Sequence, residues 1–458
     1  MSACGITLTP VFKAGQVEKV DVLYTLDAYG RKAGQEVFTF QRSTVSVPAA
    51  KLTDISASDD LGPLPLTVSE TKPYPLELVH WQTDREVQGK LTIRYSALPG
   101  EKPSQGRHGP YFHFSREAGG ANGPGIAFLM DIPGWEGKIS LHWDVSQMPE
   151  GTRAVCAWGE GDVDREGSLD CLRQIYYAFG PIQSVTEGDV GMYWLEAPSF
   201  DAVELAEYVK KLFGIMQRFF RDDQTVYRIF MSHDHTVSSG GTALRRCYMF
   251  GWNDTQPVSV PEKQNLLAHE MVHNWPHLND EPYGETTWYE EGTAEYYSIM
   301  IPLRTGLISK KQALDEIQRR ATDYYTNPTR HLSDLEAAKI CWQDRRAQRL
   351  AYGRGIFFLA NVDAQIRRAT EGRKSLDDVV LSLLEMGRRN EPLGNEAFLK
   401  AVRETAGIDV SEAWRLMHGG GHFAPDGDSF DSLFTVAPVT VQEADTGKEA
   451  VSYQWAIR

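Results

Sequence analysis

Through the first 195 residues, apolar positions come in short runs rich in β-branched and aromatic side chains, several of them alternating with polar positions. VEKVDVLYTLDAYG, EVFTFQRSTVSV, PLELVHW, GKLTIRYSAL, IAFLMDIP and KISLHWDVS are such runs, and turn-forming residues separate them. A period of two is the strand period, so a β-sandwich or similar antiparallel layer is expected over 1–195. AGGANGPG at 118–125 reads as a flexible loop, because no strand–loop–helix phosphate pattern follows it. After Pro198 the period lengthens. Leu205, Tyr208, Leu212, Ile215 and Phe219 recur at helical intervals between Asp201 and Arg221. TVYRIFMS then reads as a strand, and GGTALRRCYMFGW as a turn leading into a second one. From about residue 309 amphipathic helices dominate, in KKQALDEIQRRATDYY, SLDDVVLSLLEMG and EAFLKAVRETAG. HGGGH at 418–422 breaks that pattern and leads into a tail of β character, SLFTVAPVTV and AVSYQWAI. No internal repeat is visible. The pattern predicts an α+β multidomain chain with segments 1–195 (β-rich), 196–335 (strands and the chemistry-bearing helices), 336–425 (helical) and 426–458 (extension).

The chemistry is concentrated in one apolar stretch, PEKQNLLAHEMVHNW, which holds His269, Glu270 and His273 as HExxH. On a helix, positions four apart share a face about one turn apart, so two imidazoles can converge on one ion. Glu270 then stands beside them as a general base. Such a pattern also arises by chance as two hydrogen-bonded histidines. The following segment, TTWYEEGTAEYYS, weighs against chance. Glu291, 18 positions after His273, supplies the third ligand that an open zinc site requires. Glu295, one turn further, can accept from a ligand histidine and fix its tautomer. Glu290 and His277 are rivals for the third position. Glu290 is rotated about 100° from Glu291 on a helix, and Pro276 should end the helix before His277 arrives. Zn2+ is the expected cofactor.

Charge and cysteine usage narrow the setting. A formal net charge of −15 argues against nucleic acid or an anionic membrane as a partner. MSACGITLTPVFKAG has neither a basic n-region nor an apolar h-region, and no apolar run reaches the length of a membrane span. The five cysteines are scattered, odd in number and free of CxxC spacing, which predicts reduced thiols and a cytoplasmic protein. The partner predicted is a peptide or small-molecule substrate. Oligomeric state is left open.

HEMVHNW followed by WYEEGTAEYY resembles the gluzincin metallopeptidases, which pair HExxH with a downstream Glu in a W-x-x-E-G setting. AYGRGIFFLANVDAQIRR at 351–368, GRKSLDD at 372–378 and LRTGLISKKQAL are similar to the glycyl aminopeptidase family within that group. The resemblance covers about residues 185–415. It implies a thermolysin-like zinc catalytic domain over 196–335, a preceding β-domain, and a helical domain carrying a catalytic tyrosine. Tyr352 stands at that tyrosine's position and would donate to the oxyanion. Arg354 stands where the family commonly has Lys. A PDZ-like domain often follows in the family. Only some 40 residues remain here, so its absence is expected.

The resemblance also marks a difference. Ser239-Gly-Gly-Thr-Ala-Leu-Arg-Arg246 aligns with a strand where related aminopeptidases carry a Glu that binds the substrate's free amine. Ala243 occupies that position. Gly241, Ala243 and Arg245 are therefore the candidate substrate-binding residues, with a carboxylate as one group Arg245 could attract. Two readings follow. One is an aminopeptidase-like zinc hydrolase of peptide or amide bonds with altered terminal selectivity. The other is a Lewis-acid zinc enzyme acting on a non-peptide small molecule, epoxide hydrolase-like or belonging to a biosynthetic pathway. A catalytically dead scaffold is disfavoured, because every ligand and Glu270 are present.

Overall fold

The alternation of the N-terminal region becomes sheet in the structure, a computed structural model. It describes all residues except 1–2, 28, 46, 74, 103–109, 236–238, 254–259, 280–281 and 444–445. The chain forms two compact units, Met1–Lys210 with Gln224–Lys263, and Lys211–Asp223 with Gln264–Arg458.

In the first unit, a seven-stranded sheet runs in the order Val163–Ser168, Glu136–Trp143, Ala3–Lys13, Gln16–Leu26, Leu91–Leu98, Lys51–Asp59, Gly62–Pro63. Ala3–Lys13 escaped the sequence reading. Its buried residues fall on every second position, and it pairs antiparallel with Gln16–Leu26 and parallel with Glu136–Trp143. A four-stranded sheet built on Glu36–Thr44 and Leu76–Thr83 contributes Phe38, Phe40, Val79 and Trp81 to the same apolar core that takes Ile6, Leu8, Tyr24 and Ile93. Two faces sharing one core is the layered β arrangement that the alternation predicts.

Two expectations are corrected here. The glycine-rich 118–125 is not a flexible loop: Gly120–Pro124 is a fully buried strand of a five-stranded sheet, paired with Ser115–Glu117 and Tyr176–Gly180. The glycines serve close backbone approach. A Cβ on Gly120, Gly123 or Gly125 would collide with the carbonyl oxygen of Phe179, His113 or Leu172, respectively. IAFLMDIP is not a strand either. Gly125–Ala127 is a 3-10 turn, and Phe128, Leu129 and Met130 are fully buried in irregular backbone. Tyrosine hydroxyls satisfy that backbone in place of a neighbouring strand: Tyr24 donates to the Met130 carbonyl (3.0 Å) and Tyr95 to that of Phe128 (3.1 Å).

A third sheet of this unit has the order Gln183–Glu187, Val190–Trp194, Tyr227–His233, Cys247–Trp252, Ser239–Leu244. Its three central strands are parallel. A parallel pair needs a crossover, and the predicted amphipathic helix, Ala202–Phe219, lies between Trp194 and Tyr227. GGTAL proves to be strand rather than turn, at the sheet's edge. The tight turn is Arg245-Arg246, with Arg246 at φ +58°.

The second unit is helical. Its helices start where the sequence offers caps: Ser309, Ser333 and Ser375 each close a capping box before Lys310–Tyr325, Asp334–Ile340 and Leu376–Arg388. Thr287–Arg304 and Leu350–Ala369 pack against each other as its central pair. The C-terminal tail is an antiparallel hairpin, Phe434–Gln442 with Glu449–Ile457. Among the described residues, no helix is long and apolar enough to cross a membrane. All five cysteines are buried free thiols.

Candidate metal centre

Two helices bring the chemistry together, through residues that all lie in the second unit. His269 and Glu270 lie in the last turn of Val260–Val272, and His273 follows immediately. The chain leaves the helix three residues before Pro276, consistent with proline's restriction on what precedes it. It is then pinned by Trp275, whose indole stacks on Phe220 (centroids 4.8 Å apart) and donates to Asp222 (2.6 Å). Glu291 and Glu295 sit one turn apart on the buried helix Thr287–Arg304.

The three expected ligands converge. His269 Nε2 and His273 Nε2 are 3.2 Å apart, and Glu291 Oε2 is 3.3 Å from the first and 3.6 Å from the second. Among the described residues this is the one trio of His, Cys, Asp or Glu whose donor atoms all lie within 4.8 Å of one another. Glu290 and His277 are not part of it. Two ring nitrogens aimed at each other and at a carboxylate oxygen leave at most one proton between them. Glu291 Oε2 is buried without a hydrogen-bond partner. A buried anionic oxygen met only by two imidazole nitrogens at 3.3 and 3.6 Å, with no formed hydrogen bond, is poorly compensated, and a divalent ion at the convergence point would remove that cost. The residues present therefore fit a metal, and two imidazoles with one carboxylate suit zinc among the common ions.

Electrostatics agree. Burial drives the His273 imidazole down to about 4, so it is neutral and free to ligate at neutral pH. Burial opposes charge on His269 too, but the Glu295 and Glu291 carboxylates outweigh it and raise its pKa. Burial likewise opposes charge on Glu291 and is outweighed by the two histidines, which hold the carboxylate below its ordinary value. Glu270 behaves oppositely: burial, moderated by His269, pushes it up to about 7.

Glu295 lies beside the other ring nitrogen, with Oε1 3.4 Å from His269 Nδ1, an ion-pair separation without a formed hydrogen bond. Sequence reasoning missed what lies behind it. Arg320 donates through Nε to Glu295 Oε2, through Nη1 to Glu316, and through Nη2 to Asn265 Oδ1 (3.0 Å). Burial would raise the Glu295 pKa, yet Arg320 and His269 hold it at about 2. A signal was available: Arg320 falls on the buried face of Lys310–Tyr325, with Ala313, Ile317, Ala321 and Tyr324.

Tyr352, on Leu350–Ala369, stacks over the His269 ring with centroids 5.6 Å apart and planes 7° apart. Burial and the Glu291 and Glu270 carboxylates keep its phenol protonated well above the usual range. Arg354 does not join this group. It is fully buried and binds Asp334 and the carbonyls of Arg330 (3.0 Å) and Leu332 (2.6 Å), tying its helix to the preceding segment. Gly241, Ala243 and Arg245 belong to the first unit. Gly241 sits where a Cβ would collide with Tyr248, Ala243 pairs with Tyr248 across the edge strand, and Arg245 is exposed with its N–H donated to Gln174 (3.0 Å).

Residues 262–352 match the family described as M61 glycyl aminopeptidase, so the resemblance holds over the stretch from HExxH to Tyr352. No curated protein matches the sequence. Among solved structures, an aminopeptidase N family protein from Idiomarina loihiensis is similar at TM-score 0.75 and 14% identity, over 97% of this chain and 81% of that one. A point mutant of the M1 zinc metallopeptidase from Deinococcus radiodurans, bound to a Tyr-Ser-Ala substrate, is similar at TM-score 0.57 and 14% identity, over 93% and 94%. The unmutated enzyme gives TM-score 0.55 over the same shares. The multidomain α+β architecture expected from the sequence is the fold these proteins share.

Proposed function

We propose that this protein is a zinc-dependent metallohydrolase that cleaves a peptide or amide bond. The observation that carries the reading is the convergence of His269, His273 and Glu291, whose buried Oε2 makes no hydrogen bond, with Glu270 in the adjoining position. The match to a peptidase family over 262–352 supports it, as does the peptide held by the Deinococcus radiodurans neighbour.

Bound there, zinc would supply Lewis acidity toward the scissile carbonyl. The protein's own residues do the rest. Glu270, whose proton is held near neutrality, takes a proton from the attacking water and returns it to the leaving nitrogen. Tyr352, kept protonated, donates a hydrogen bond to the oxygen that becomes negative. Glu295, anchored by Arg320, orients His269.

Ala243 in place of an amine-binding Glu supports altered selectivity for the substrate terminus. It also supports a second reading, a non-peptide small-molecule substrate for the same zinc, Glu270 and Tyr352 apparatus. Free, N-blocked and C-amidated peptides offered to the zinc-loaded protein separate the two. Turnover of any amide that is lost in Glu270→Gln upholds the first reading, and inertness toward all of them overturns it. A cytoplasmic location belongs to this reading, since five buried unpaired thiols suit a reducing compartment.

A further inference from the structure

Arginines crowd the second unit near the metal centre, and most are occupied. Arg320 is buried between Glu295, Glu316 and Asn265. Arg354 is buried against Asp334 and two carbonyls. Arg346 pairs with Asp344. Arg349 differs. Its side chain is exposed, and among the described residues its guanidinium makes neither an ion pair nor a hydrogen bond.

Its backbone, by contrast, is held firmly. Arg349 closes the short helix Arg345–Gln348 and caps the start of Leu350–Ala369, with its N–H donated to the Arg345 carbonyl at 3.1 Å. From that fixed point the guanidinium carbon lies 4.9 Å from the centroid of the Tyr352 ring. A cation resting on an aromatic ring needs no further role in general. Here, however, the ring is the one that stacks on the ligand His269. The charge also reaches inward, contributing to the electrostatics of Glu270, Glu295 and Tyr352. A guanidinium carries five N–H donors in a planar fork that matches a carboxylate. Those donors, beside the residue assigned to the reacting carbonyl, are open to solvent and so available to a substrate. An ammonium in that place would meet like charge.

We propose that Arg349 binds a carboxylate of the substrate, so that the peptide or amide cleaved carries a negative charge next to its scissile bond. This deepens the hydrolytic reading and rests on it. The carboxylate could be an acidic side chain or the free end of a short peptide. The two share one chemistry at Arg349.

The test uses two hydroxamates identical except that one carries a carboxylate and the other the matching carboxamide, titrated into the zinc-loaded full chain. Wild type should bind the carboxylate at least about ten-fold more tightly. Arg349→Met should bring the ratio of the two affinities close to one, and Arg349→Lys should keep part of it. The ratio is the readout because removing Arg349 also strips a contact from Tyr352, which affects both compounds alike. A ratio near one in wild type, or one that Arg349→Met leaves intact, overturns the assignment. Peptide turnover then names the source: preference for Asp-amide over Asn-amide marks a side chain, and preference for a free over an amidated C-terminus marks a chain end. A carboxylate preference without turnover of any amide keeps the anion site and removes the hydrolytic reading. Turnover without the preference does the reverse.

Discussion

Gly292 and Gly355 meet where the two central helices of the second unit cross, so closely that a Cβ on either would lie 2.6 Å from the backbone of the other. Glu291 precedes one glycine, and Tyr352 stands one turn before the other. The contact therefore bears on how near the phenol comes to the Glu291 carboxylate. Gly355→Ala should force the helices apart, because its Cβ would also collide with the Trp288 carbonyl oxygen. Overpacking of this kind costs about 1–3 kcal/mol. Thermal melts should show that loss together with weaker zinc retention; an unchanged melting temperature would mean the crossing has slack.

Glu270→Gln should keep zinc and lose turnover. The substitution preserves shape and removes the proton-accepting oxygen, and general-base assistance is worth about 10²–10⁴-fold. Zinc content, measured against a competing chelator, should stay at the wild-type level while kcat collapses. Activity near normal would remove Glu270 from the mechanism.

Much of this site could be read from spacing. His269, Glu270 and Glu291 lie on helices whose faces are fixed by a period of 3.6, and His273 follows directly on the first, so local sequence sets their direction and packing had to supply mainly the distance between helices. The buried strand at 120–124 was illegible for the opposite reason. Its glycines answer to the carbonyls of Phe179 and His113, outside the segment itself, and glycine carries the same letter in a loop and in a tight crossing. IAFLMDIP misled likewise, since it meets a strand only at Asp131, through Thr39, while Tyr24 and Tyr95 bond the carbonyls of Met130 and Phe128. Arg320 and Arg349 look alike as letters. Burial against Glu295 separates one from the other, and burial is a tertiary fact.

Tyr352→Phe should lower kcat with a smaller change in KM. The lost donor acts on charge that develops only in the transition state, and one such donor is worth about 10²–10³-fold. Steady-state kinetics on the best peptide from the panel give both constants. If KM rises while kcat holds, Tyr352 binds substrate and does not stabilise the oxyanion.

Acid sensitivity of the first unit should trace in part to Asp59. Its buried carboxylate takes a bidentate bond from Arg85 (Nη2 to Oδ1, 2.7 Å) and accepts the backbone N–H groups of Gln88 (2.8 Å) and Leu61 (2.9 Å). Those bonds, Arg85 foremost, hold it well below the usual carboxylate range. A depressed pKa contributes stability above the unfolded value, about 3.9, and loses it as pH falls from there toward the folded pKa. Asp59→Asn should cost about 2 kcal/mol at neutral pH and almost nothing in strong acid. Denaturation curves at pH 7 and pH 3 would show the gap narrowing, and more so in stronger acid; a constant gap would exclude the ionised pair as the cause.

Arg320→Met should separate support of the metal centre from support of the fold. Removing the guanidinium leaves Glu295 buried without its main counter-charge, and breaking one side of a buried pair costs about 3–5 kcal/mol. Glu295 would then hold His269 less firmly, and loss of such an outer partner lowers metal affinity by about 10–100-fold. The double variant Arg320→Met with Glu295→Gln removes the stranded charge, so it should regain stability over Arg320→Met alone. It should not regain zinc affinity, because a neutral amide does not replace the carboxylate at His269 Nδ1. Urea denaturation and chelator competition on the three variants give both quantities. If the double variant recovered neither, Arg320 would act through Glu316 and Asn265, its other partners, and not through Glu295.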